Sequence, residues 1–153
     1  MESMEKIDRL ILLAVLSNLD GVDFIQGLDR KTVQDAYNGI GPEFLPPALR
    51  AKVTQHFSTF EPAALIHDLR NEFSDGTEDK FHAANREFLA NCLTLVDDKY
   101  PWWRPKRYIA RRVAHAFFMF VDGAPGWRAW LEAQANHAKK ISSGNSAGSK
   151  NKE

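Results

Sequence analysis

Apolar residues in this chain recur at spacings of three and four along most of its length, and few segments alternate polar with apolar at every second position. That spacing lines successive apolar side chains along one face of an α-helix, whereas a half-buried strand needs a period of two. The expected fold class is therefore all-α. At 153 residues the chain is long enough to bury a core of its own and is near the size of one domain. The pattern predicts a compact single-domain bundle of about six to seven helices with a central antiparallel helical hairpin.

Punctuation residues set the expected boundaries. A first helix over 3–19 carries Ile7, Leu10, Ile11, Ala14 and Val15 on one stripe and ends at Asp20-Gly21. Asp29 caps a short helix that Gly39 stops, and Pro46-Pro47 opens another through about residue 57. A further helix starts over 59–62 and ends before Ser74-Asp75-Gly76. Thr77 then caps the next, with Glu78 and Asp79 in its first turn, where the helix dipole favours negative charge. The connection between these two is so short that they must form an antiparallel hairpin. Tyr100-Pro101-Trp102-Trp103-Arg104-Pro105 breaks the chain before a helix over 105–122, and Pro125 opens the last one. Residues 1–141 read as a single helical domain. The Gly/Ser/Asn/Lys-rich segment 142–153 reads as a flexible C-terminal tail.

Several classes of protein are excluded early. The most apolar window, 7–19, is short for a membrane span, holds Asp8, Arg9 and Asn18, and follows Glu2 and Glu5 rather than a positive leader. It reads as a core helix, which makes a soluble protein of the cytoplasm the expectation. The single Cys92 forbids an intramolecular disulfide framework or a cysteine-rich zinc site, and on the apolar face of its helix it reads as a small core residue.

The formal net charge of zero, from 20 basic and 20 acidic residues, hides a strong asymmetry. Between 61 and 98 nine acids face three bases, and between 99 and 112 there are six bases (Lys99, Arg104, Lys106, Arg107, Arg111, Arg112) and no acid. Either the basic stretch packs over the acidic hairpin and neutralises it, or it presents Trp102, Trp103, Arg104, Lys106, Arg107 and Arg111 as a binding surface. Indoles beside guanidinium groups suit stacked bases and equally suit an anionic lipid surface.

Mid-way along the first hairpin helix, His67 and Asp68 are adjacent and so point about 100° apart. Asn71 lies one turn after His67 on the same face. With the hairpin pivoting near Asp75-Gly76, the residue across from His67 falls at 84 or 85. Asn85 is polar on an otherwise apolar stripe of Phe81, Phe88 and Cys92, so it needs a buried partner. The expected contact is His67 to Asn85, with Asp68 facing another side.

Ala63 to Asp68, then Ala84-Asn85-Arg86-Glu87-Phe88, then Arg111 to Phe118, then Gly123 and Trp127 resemble a pattern found in a family of small phage and prophage proteins that carry a domain of unknown function. The resemblance covers roughly 61–130 and implies a phage-type accessory or host-interaction protein whose partner is a host or phage protein. The same pattern is distantly similar to the His-Asp helix pair of calcium-dependent phospholipases. That similarity implies a general base at His67 oriented by residue 85, and calcium held by Asp68 with carbonyls of a glycine loop, for which Gly39 and Gly41 in Tyr37-Asn38-Gly39-Ile40-Gly41-Pro42 are the candidates. The chain departs from those enzymes in having Asn71 where the pattern has an aromatic residue and Asn85 where they have a carboxylate. No cofactor is demanded, and calcium is the one the resemblance allows.

The sequence Ala-Leu-Ile-His-Asp over 64–68 also resembles metal-dependent phosphohydrolases with a His, His-Asp, Asp ligand set. Here only His56 precedes the pair and Asp122 would be the distal ligand. His82, His115 and His137 show no consistent metal spacing and read as ordinary residues. A binding protein is the expected function, with a calcium-dependent lipid or ester hydrolase and a nucleic-acid-binding module as the alternatives.

Overall fold

The computed structural model describes residues 3–37 and 45–147, and within the last helix the side chains of 137, 140 and 143–147 are not described. The described residues form seven helices and no strand, so the all-α expectation holds. In chain order they are α1 (Met4–Leu16), α2 (Val22–Gln26), α3 (Arg30–Ala36), α4 (Pro47–Glu72), α5 (Glu78–Lys99), α6 (Pro105–Val121) and α7 (Ala124–Ala147).

Three of the helix starts are capped as the sequence demands. Ser3, Asp29 and Thr77 each adopt extended backbone and accept a hydrogen bond from the amide three residues on, in Lys6, Thr32 and Lys80. The first helix buries Ile7, Leu10, Ile11 and Ala14. It stops at Leu16, three residues short of the expectation, because Asn18 takes a left-handed φ of 49° and turns the chain. A five-residue helix then follows, too short to leave a periodic signal. Its leading Gly21 has φ 89°, and a Cβ there would sit 2.7 Å from the Ile66 side chain, so the turn packs directly on α4.

The largest correction concerns α4. The sequence suggested two helices meeting near 58, but one helix of 26 residues runs through Pro62. Proline cannot donate to the carbonyl four residues back, a defect that costs about 3 kcal/mol in a free helix. Here every residue from Thr59 to Leu69 is buried. Packing on all sides of that stretch outweighs the local defect. Its counterpart α5 lies antiparallel, as expected: Lys99 Nζ reaches Thr59 Oγ1 at 2.8 Å at one end, and His67 meets Asn85 towards the other.

Helix α6 completes a three-helix centre, burying Ala110, Val113, Ala114, Phe117 and Val121. The corner into α7 is tight enough that a Cβ on Gly126 would overlap the Val121 backbone. The last helix continues to Ala147, six residues past the point where composition suggests a tail begins. The core is one cluster drawn from α1 to α6, with Cys92 inside it; burial drives that thiol's pKa up well above its usual value.

Candidate functional site

The hairpin places His67 and Asn85 together as expected: Nε2 of the imidazole lies 2.7 Å from the Asn85 amide oxygen. The chain of polar groups does not stop there. Asn85 Nδ2 donates to Asp122 Oδ1 at 3.0 Å, and the same carboxylate oxygen accepts from His82 Nδ1 at 2.7 Å. Because a carboxylate only accepts, the Asn85 amide has one orientation, with its oxygen toward His67. His67 Nε2 is therefore the donor in this contact. Asp122 thus stands behind Asn85 and fixes that donor role at one remove.

The environment of His67 is closed. Its ring is only 6% exposed and packs at 5.0 Å on Phe88. The void beside it, bounded by Phe57, Phe60, Ala64, Phe88, Phe117 and Val121, has about 10 Å³, barely enough for one water and lined by apolar groups. Asp68 is also buried, with Oδ1 3.9 Å from His67 Nδ1, outside hydrogen-bond range. Asn71 brings Nδ2 to 3.5 Å from Nδ1, and its backbone carbonyl accepts from Gln134 Nε2 at 2.9 Å, which ties α7 to the end of α4. Gly39 and Gly41, the candidate calcium loop, lie outside the described residues. Among the described residues no three acidic, histidine or cysteine side chains gather in a group able to hold a metal ion. His56, the first ligand of the phosphohydrolase pattern, sits instead near the basic corner. Burial first, then the charges of Lys99 and Lys106, push its pKa below the usual histidine value.

The basic stretch divides into two populations. Arg107 and Arg111 turn inward onto one carboxylate, Asp97, at 3.0 and 2.7 Å, and Arg107 also donates to the Tyr100 carbonyl. These two neutralise the acidic hairpin. Arg104, Lys106 and Arg112 are exposed and have no acidic partner among the described residues.

Around those three cations the surface is strongly apolar. Trp102 is 71% and Trp103 63% exposed, held edge to face at 5.9 Å in the turn that precedes α6. A hydrogen bond from the Arg104 amide to the Pro101 carbonyl closes that turn, so the indoles project from a fixed corner. Tyr108, Ile109 and Met119, the last 74% exposed, extend the apolar surface along the outer side of α6.

Two further places hold shape and charge. A cleft of about 480 Å³ is lined by Phe24, Phe73, Arg70, Lys80, Asp75 and Glu87, but its cations and anions balance, and Arg70 is already held by Glu87 through two hydrogen bonds of 3.0 and 3.1 Å. A smaller cleft of about 260 Å³ contains His82 and Asp122. In the sequence His82 reads as an ordinary residue. The available signal was its position, four residues after Glu78 and three before Asn85, which puts all three on adjoining turns of one helix face. A comparison with protein families, with curated proteins and with solved structures finds no match to this chain.

Proposed function

We propose that this chain is a binding protein, a phage-type accessory or host-interaction factor, that docks an acidic surface of a partner protein on the face formed by Trp102, Trp103, Tyr108, Ile109 and Met119 with Arg104, Lys106 and Arg112. The observation that carries the reading is the exposure of two indoles on a corner that the backbone holds in place. Leaving so much apolar area in water is unfavourable, and contiguous exposed patches of this kind mark interaction sites. Tryptophan, tyrosine, methionine and arginine are also the residues enriched where protein interfaces concentrate their affinity. A nucleic acid would use the indoles and cations but would gain little from Ile109 and Met119, which favours a protein partner.

On this reading the His67-Asp68 hairpin is the support that sets the α5–α6 corner. The burial of the imidazole, with an apolar void of about 10 Å³ beside it, supports this role over a hydrolytic one. The bacterial host cytoplasm is the proposed location.

The test is a photo-crosslinking side chain at position 108 in protein expressed in bacterial cells. The reading predicts a discrete protein adduct that resists nuclease and is lost in Trp102→Ala/Trp103→Ala, whose helical circular dichroism stays unchanged. Adducts only to nucleic acid, or a protein adduct indifferent to both tryptophans, contradict it.

A further inference from the structure

The 260 Å³ cleft lies where the first turns of α5 approach the corner between α6 and α7. Its ionisable groups are Glu78 and His82 from α5 and Asp122 from the C-cap of α6, and Gly123 with Ala124 and Trp127 of α7 complete the lining without a charged side chain. No lysine or arginine lines it. Its apolar walls are Phe81 and Trp127, edge to face at 5.0 Å, and Trp127 is braced from behind by Trp130, stacked at 4.9 Å. The cleft is thus a braced aromatic wall facing two carboxylates, an arrangement that attracts organic cations through the ring quadrupole and through charge together.

His82 stands between the two acids. Its Nδ1–H donates to Asp122 Oδ1 at 2.7 Å, and Nε2 lies 3.6 Å from Glu78 Oε1. Protonated, the imidazolium serves both carboxylates as a resident cation. Neutral, it leaves Glu78 without a counter-charge while still holding Asp122 in position. Asp122 Oδ1 already accepts from both His82 and Asn85, and among the described residues Oδ2 receives no hydrogen bond.

We propose that this cleft is a receptor for a small organic cation, an alkylated ammonium or a guanidinium group, whose binding competes with the proton on His82. Its volume falls below that of sites for whole drug-sized ligands, so it fits a headgroup or a single side chain. The cation's source is either a free metabolite-sized amine or a basic side chain of a peptide. The proposal does not rest on the docking face, whose indole corner precedes α6 while the cleft adjoins the other end of that helix.

Isothermal calorimetry on the full chain with choline, and separately with short peptides carrying arginine or trimethyl-lysine, tests it at pH 8 and at pH 5.5. The expected result is saturable binding at pH 8 that weakens about tenfold at pH 5.5, as His82, whose pKa the Asp122 hydrogen bond raises, takes up its proton. Glu78→Gln, at an exposed position, weakens binding at pH 8 by about three- to tenfold. His82→Gln keeps the binding and removes its pH dependence. Binding of choline alone assigns a free amine, and tighter binding of either peptide assigns a side chain. Absence of binding to all probes at pH 8, tighter binding at pH 5.5, or affinity unaffected by Glu78→Gln overturns the proposal. A Trp127→Phe variant keeps an aromatic wall and guards against loss of folding; it is expected to retain binding within a few-fold.

Discussion

Replacing Asn85 by alanine removes the acceptor of the His67 Nε2–H and a donor to Asp122, both at fully or largely buried positions. Leaving such groups unpaired costs about 2–3 kcal/mol in unfolding free energy, measurable by urea denaturation. Asn85→Asp is the more telling change, because it supplies the carboxylate that the phospholipase-like pattern has at this position. In this fold it would put two carboxylates within about 3 Å, so one must hold a proton, and the variant loses stability as pH rises from about 5 to 8. Asn91 plays a purely structural part: its amide accepts from the Asp20 N–H at 2.8 Å and donates to the Asp20 carbonyl at 2.9 Å, pinning the turn after α1. Its replacement by alanine is expected to cost about 1–3 kcal/mol without changing binding at either surface. For His82, the hydrogen bond to Asp122 raises the pKa above the usual value, with Glu78 adding to it and desolvation opposing it. A histidine whose folded pKa is raised contributes stability that is complete below its unfolded pKa of about 6.5 and is lost as pH climbs through the folded value. The stability difference between wild type and His82→Gln should therefore be largest below about pH 6 and shrink steadily above it. The His67–Asn85 contact was legible in the sequence because a polar residue on an apolar stripe demands a partner. His82 was not, because a half-exposed histidine makes no such demand until Asp122 arrives from 40 residues away.

At the level of elements, the sequence predicts the capped starts at Asp29 and Thr77 and the short-turn hairpin because each rests on local chemistry. The fusion of two expected helices into α4 was hidden because Pro62 is a strong local signal overridden by burial on all sides. The five residues of α2 were hidden for the opposite reason, since a helix that short has no periodicity to read. Close approach is equally silent in a sequence. Gly126 looks like a loop residue, yet a side chain there would overlap the backbone of Val121. Gly126→Ala is expected to lower stability by about 3 kcal/mol and to loosen the start of α7, read as faster amide exchange over 124–130.

Across the whole molecule, a formally neutral chain resolves into an acidic hairpin partly neutralised by Arg107 and Arg111 on Asp97, and an outward corner where Arg104, Lys106 and Arg112 have no acidic partner among the described residues and stand near two exposed indoles. Composition alone offered neutralisation and a binding surface as rivals; Arg107 and Arg111, one turn apart on α6, turn to Asp97, while Arg104, Lys106 and Arg112 stay exposed and leave a surface open for the proposed binding. Within this account the corner binds and the hairpin supports it. The most direct test measures the affinity of the crosslinked partner, once isolated, for three proteins: wild type, Arg104→Glu/Lys106→Glu/Arg112→Glu, and Asp68→Ala refolded to full helicity. The account predicts at least a hundredfold loss on charge reversal and less than a threefold change for Asp68→Ala. The reverse pattern, with the partner indifferent to the three reversed charges and lost with Asp68, would contradict it.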